Sequence, residues 1–439
     1  MRLFYLILGN TVLASITNTF AWFALVFFAY LETNSVMATS IIGGAFLTLT
    51  ALSGIFFGTF VDHHPKRMVM LISSSISLVC YAIAGLVYLS VPDGAFSQVF
   101  SPALLALIAL IVMGSVSGNA RMIALSTSVT LLVPEERRAN ANGLVGAGNG
   151  VSFSLSSIIS GLLIGWYGMG AVLLLSVLIT FGVVLHLLTI RYPREVFAHE
   201  ESGEQKSMDL RGTIAAILAV PGFMMLIFFT TFNNFLGGVF MALMDAYGLS
   251  LMSVESWGLV LGVVSPGFIL SGLAIAKWGL GKNPLRTLLM VNVVMWSVCI
   301  FFVIQPWIVL LLIGMLIWMC LSPVIEATEH TIIQKIIPYE RQGRVFGFAQ
   351  SVEQTASPLT AFLIGPIAQY LFIPFMTTGA GVALIGGWFG TGPARGIALV
   401  FIAAGFLGLF VTLYAFRSRS YRLLSMRYQE ANIQQKISI

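Results

Sequence analysis

Polar and charged positions in this chain are gathered into short clusters that punctuate long apolar runs. About 20 residues in a helix, at about 1.5 Å each, cross a hydrocarbon core roughly 30 Å thick. Runs of suitable length lie near 3–31, 38–61, 69–91, 103–132, 141–167, 170–190, 220–246, 256–278, 287–304, 306–336, 344–372 and 395–416. The pattern predicts an all-α polytopic membrane protein with twelve transmembrane helices. The first run continues to about Leu31 without a convincing cleavage site and is read as a retained span.

The polar clusters set the orientation. With the N-terminus inside, every Lys and Arg except Arg121 and Arg395 falls in a cytoplasmic segment or helix end. This positive-inside bias places the chain in the cell (cytoplasmic) membrane as a multi-pass protein with both termini cytoplasmic. The longest cytoplasmic connection begins at Arg191, carries Glu195, Glu200, Glu201, Glu204, Lys206, Asp209 and Arg211, and ends in an apolar stretch at Pro221. It reads as a linker with a short interfacial helix. The expected organisation is a six-helix half at 1–190, the linker at 191–219, a second six-helix half at 220–417 and a cytoplasmic tail at 418–439.

Composition agrees and removes other classes. Of the 439 residues, 58% are hydrophobic and 9% charged, with mean hydropathy +0.95, against about 25% charged in soluble domains. The net charge of +5 does not indicate nucleic-acid binding, because the basic residues are spread over short loops. Cys80, Cys299 and Cys320 lie in apolar runs and suggest neither a disulfide framework nor a thiolate metal site. No nucleophile-base pair, metal-ligand spacing or phosphate loop is present, so no enzyme activity, metal or cofactor is expected.

An internal repeat decides the architecture. VPEERRANANGLVGAGNG from Val133 matches IPYERQGRVFGFAQSVEQ from Ile337 at an offset of 204, pairing Pro134 with Pro338, Glu136 with Glu340, Arg137 with Arg341 and Gly143 with Gly347. The register continues to Gly161 and Gly365, and Leu52-Ser53-Gly54 recurs as Leu270-Ser271-Gly272. The two six-helix halves are therefore parallel repeats.

Between the second and third runs stands Gly58-Thr59-Phe60-Val61-Asp62-His63-His64-Pro65-Lys66-Arg67. Gly58 permits close helix approach. Asp62, at its helix C-terminus, calls for a neighbouring cation or helix N-terminus. Lys66 and Arg67 hold the loop on the cytoplasmic side. This hairpin resembles the loop between the second and third helices of the major facilitator superfamily, with Pro65 in place of a glycine and Lys66 in place of an arginine. The paired Pro-x-Glu-Arg loops, Pro221-Gly222-Phe223 and Asn233-Asn234-Phe235 are similar to the bacterial drug:proton antiporter branch that includes macrolide efflux proteins. That resemblance implies export of an amphipathic small molecule in exchange for protons. It also places Asp62 against the start of the eleventh span, near 343–346, as a gate. The fifth span lacks the Gly-Pro step of many antiporters, whereas Pro358 and Pro366 interrupt the eleventh.

Candidate chemistry lies at midplane, where ionisable groups are costly and usually face a cavity or a partner. By helical rise, Arg121 is about 20 Å deep, Glu326 about 18 Å, Glu353 about 16 Å and Glu329 about 14 Å. Asn18, Asn149, Asn233 and Asn234 fall at comparable depth, and Asn149 holds the repeat position of Glu353. Glu326, Glu329 and His330 share a helix face. Glu326, Glu329 and Glu353 are the candidate proton-coupling groups, weighed against a role as static interhelical hydrogen bonds. Arg121 is expected to pair with an acid or with substrate, weighed against a purely structural role, and the four asparagines with substrate. His186 and His330 are expected to be packed polar residues, and Asp245, Glu255 and Glu32 to be solvated helix ends. Phe20, Phe23, Phe27, Phe235 and Met241 offer apolar surface, either cavity wall or helix packing. The stretch 373–393 is expected to be a poorly constrained connector rather than a lid.

The expectation is a monomeric secondary transporter exporting amphipathic small molecules by proton antiport, working with protons, its substrate and the bilayer. A lipid or lysophospholipid flippase on the same fold, or a transport-dead membrane sensor, are the alternatives.

Overall fold

The structure, a computed structural model, describes residues 2–92, 94–133, 138–191, 214–215, 217–281, 283–337 and 339–437. The linker, most of 192–219, lies outside the described residues, as do the Pro-x-Glu-Arg segment at 134–137, Pro338, the surroundings of Gly58 and the side chains of Asp62 and His330.

The apolar runs become helices: α1 (Arg2–Thr33), α2 (Val36–His63), α3 (Lys66–Ser90), α4 (Pro102–Leu132), α5 (Arg138–Thr189), α6 (Phe223–Leu251), α7 (Val254–Val264), α8 (Gly267–Trp278), α9 (Pro284–Phe301), α10 (Ile308–Ile336) and α11 (Tyr339–Ile367). After a π turn at Ala368–Phe372 come α12 (Ile373–Thr377), α13 (Ala380–Phe389), α14 (Pro393–Arg417) and α15 (Arg419–Ile437). Eleven segments among the described residues are long and apolar enough to cross a membrane. One of them, Gly148–Thr189, runs 42 residues and is broken at Gly168 (φ 72°), a left-handed conformation open mainly to glycine. Its two arms each have the length of a crossing, so these segments supply twelve crossings. The eighth expected span is made of α7 and α8 end to end.

Two compact units result. The first contains Met1–Ala198 with Met241–Pro266 and Ile364–Gln369; the second contains His199–Phe240, Gly267–Leu363 and Tyr370–Ile439. The first half thus carries with it short pieces of the second half. In the first unit, α1 packs on α5 and α4, and α3 on α4, around buried Phe4, Ile7, Val69, Met70, Leu125 and Leu187. In the second, α9 packs on α14 and α10. Leu424 of α15 joins Phe223, Leu226 and Leu288 in its core, so the expected tail is a docked helix along this stretch.

The structure departs from the sequence pattern at two places. The connector at 373–393 is ordered by α12 and α13, with Arg395 buried beneath it. Arg395 stacks 3.8 Å from the Phe389 ring centroid and donates to the carbonyls of Val303 and Ile304 at 2.9 Å. Asp245 is not a solvated cap: it is buried and accepts a 2.9 Å bond from Trp257 Nε1. Of the two alternatives for Phe20, Phe23 and Phe27, their burial in the first unit favours helix packing.

Candidate functional site

In the second unit α10 and α11 each place a carboxyl group toward α6. Glu329 is buried and lies beside Glu353 and Thr230, with the Glu326 carboxyl nearby. The Thr230 hydroxyl lies 2.5 Å from Glu353 Oε1. Glu326 itself is exposed, so two of the three candidate acids are brought into direct contact and the third stands beside them. Three helices converge on this pair, and the Thr230 hydroxyl beside it had no sequence signal.

The asparagines separate. Asn233 Oδ1 accepts from Trp296 Nε1 at 2.8 Å and its Nδ2 donates to the Phe229 carbonyl at 2.9 Å. Both ends of that amide are used in packing. Asn234 is exposed, as is Asn149, which does not place Asn149 in an enclosed site. Phe235 is half-buried and Met241 exposed.

In the first unit, α4 carries Arg121, only 2% exposed. Its hydrogen-bond partners among the described residues are neutral oxygens, not an acid. Its Nε donates to Thr11 Oγ1 at 3.2 Å, Nη1 to Ser74 Oγ and Nη2 to Asn10 Oδ1. Asn10 is held in turn by its Nδ2 on the Val183 carbonyl at 3.0 Å, with His186 Nδ1 2.9 Å away. One guanidinium therefore ties α4 to α1 and α3. Beside it is a cavity of about 110 Å³ lined by Ser15, Asn18, Thr19, Trp22, Asn119 and Arg121 among others. Asn18 Oδ1 accepts from Tyr81 at 2.8 Å. Of this lining, the sequence had marked only Asn18 and Arg121.

The charged hairpin is tied to helix C-termini, where orphan carbonyls attract cations. Lys66 Nζ donates to the Val61 carbonyl at 2.7 Å, and Arg67 Nη2 to the Leu188 carbonyl at 2.7 Å, linking the start of α3 to the end of α5. The described residues contain no group of three or more His, Cys, Asp or Glu side chains suited to a metal.

A bundle of twelve crossings built from two repeated halves, with polar groups held at membrane depth, defines a multi-pass membrane transporter fold. The Major Facilitator Superfamily model matches residues 7–361, and the chain belongs to that superfamily. Its fold is similar to the nucleoside transporter NupG, with TM-score 0.72, 12% identity and coverage of 95% of this chain and 100% of that one. It is also similar to a bacterial homologue of the human lysosomal transporter Spinster in an inward-facing, unoccupied conformation, with TM-score 0.67, 14% identity and coverage of 97% and 98%. A D-xylose-proton symporter aligns with TM-score 0.63 at 15% identity over 92% and 96%. At these identities the likeness is one of fold. No curated protein sequence matches the chain.

Proposed function

We propose that this transporter is a proton-coupled exporter of amphipathic small molecules, working by alternating access in the cytoplasmic membrane with both termini inside. The observation that carries the reading is the contact between Glu329 and Glu353. Two carboxyl groups side by side, one of them buried, hold one negative charge more cheaply than two, so such a pair is a natural proton carrier. Thr230 supplies a hydroxyl that can follow the change in charge.

Glu329 and Glu353 are the proton-coupling residues in this account, and Glu326, being exposed, is the group that passes protons to or from them. Lys66 and Arg67, with Gly58 and Asp62, form the gating hairpin. Arg121 and Asn18 serve substrate from the first half, while Asn233 holds Trp296 in place.

The test is a substrate screen in everted vesicles. An imposed pH gradient should drive accumulation of at least one amphipathic compound, and a protonophore should abolish it. Accumulation that ignores the gradient, or movement of lipid alone, would overturn the antiport reading.

A further inference from the structure

The cavity in the first unit has a lopsided set of polar groups. Trp22 is 9% exposed, and its indole Nε1, a group that can only donate, is buried without a partner among the described residues. Tyr81 occupies Asn18 Oδ1, which leaves the Nδ2 amide as the donor on that side chain. That nitrogen lies so close over Gly118 that a Cβ there would come within 2.3 Å of it. Arg121 keeps its positive charge in a protein interior. Its contacts are the neutral oxygens of Thr11, Ser74 and Asn10, and no carboxylate lines the cavity.

A buried donor without an acceptor, Trp22 Nε1, next to a cation with no carboxylate partner, is expensive to maintain. The occupant that corrects both defects is an oxyanion. At about 110 Å³ the cavity is small against the roughly 300–1,000 Å³ of a drug-sized site, so it takes one end of a molecule. Trp22 and Phe46, with ring centroids 5.2 Å apart, offer an aromatic surface beside it.

We propose that the cavity formed by Asn18, Trp22 and Arg121 is an anion subsite, binding the carboxylate end of an amphipathic aromatic acid. The proposal rests on the transport reading for its purpose and specifies the substrate class as organic anions.

The test uses the purified full-length protein in detergent and a matched set of probes, 1-naphthylacetate, 1-naphthylacetamide and 2-(1-naphthyl)ethylamine, titrated calorimetrically. The carboxylate should bind at least tenfold more tightly than the amine, with the amide between them. Trp22→Phe retains an aromatic ring but removes the donor, and should weaken the carboxylate about tenfold while barely changing the amine. Gly118→Ala, which displaces the Asn18 amide, should act in the same direction and guards against a fold-specific failure of the first variant. Preference for the amine, no binding of the carboxylate, or full carboxylate affinity in both folded variants would overturn the proposal. The transport reading fails separately, if the carboxylate binds but no imposed pH gradient moves it in vesicles.

Discussion

Arg121 shows how one side chain can be structural and functional together. A hydrogen bond to a charged group contributes about 1.5–3 kcal/mol, and Arg121 makes three, to Thr11, Ser74 and Asn10. Arg121→Leu is expected to strand those partners and lower the thermal unfolding midpoint in detergent. Arg121→Lys, which keeps the charge but loses the planar fork, should fall between the two. Equal stability of all three proteins would remove its anchoring role. The sequence made Arg121 and Glu329 conspicuous because helical depth alone makes a midplane charge unusual. It left Arg121 between an acid, substrate and a structural role, since an Asn-Ser-Thr cage assembled from two other helices leaves no mark along the chain. Trp22 and Thr230 were invisible for a similar reason: a tryptophan or threonine in an apolar run is ordinary until its neighbours are known. Asp245 misled in the opposite direction. Its place near a helix end implied water, but Trp257, twelve residues on, turns back over it.

At the scale of elements, α5 and α7 pack through a seam of small residues. A Cβ on Gly258 would lie 2.5 Å from the Ser157 carbonyl and 2.9 Å from Gly161 Cα, and one on Gly262 would lie 2.4 Å from Ile158. Ser154 Oγ donates to the Gly262 carbonyl across the seam at 2.9 Å. Small residues at four-residue spacing permit this approach, which is how helices associate where lipid offers no hydrophobic drive. Thr39 adds a second tie, donating to the Ala242 carbonyl at 2.9 Å. Both ties lie toward the face of the first unit where α1 ends, which the proposed topology makes the outer face. Gly258→Leu is therefore expected to cut transport at least tenfold in vesicles while the purified protein stays folded. Unchanged transport would show that the seam does not need to close. Gly161 and Gly365 were legible as repeat partners, but the partner of Gly161 in space is Gly258, which the repeat does not pair with it. The Gly168 bend was legible only as a gap between apolar runs. The helices at 373–389 were obscured by glycines, which weaken helix propensity in isolation, and it is tertiary packing on Arg395 that holds them.

For the whole molecule, the number of crossings and the repeated halves were readable because bilayer thickness sets run length and the repeat is preserved at the loops. Compactness was not readable: the first unit takes in Met241–Pro266 and Ile364–Gln369, pieces that sequence order assigns to the second half. Proton antiport requires that proton binding and substrate movement be separable. Its most direct test is a comparison of two assays on proteoliposomes containing the Glu329→Gln, Glu353→Gln double variant. One assay follows uphill uptake driven by a pH gradient; the other follows counterflow of labelled substrate with no gradient. Neutral amides keep hydrogen-bonding capacity while removing the proton site, so uphill uptake should be lost while counterflow persists near the wild-type rate. Uphill uptake that survives in the double variant would contradict proton coupling by this pair.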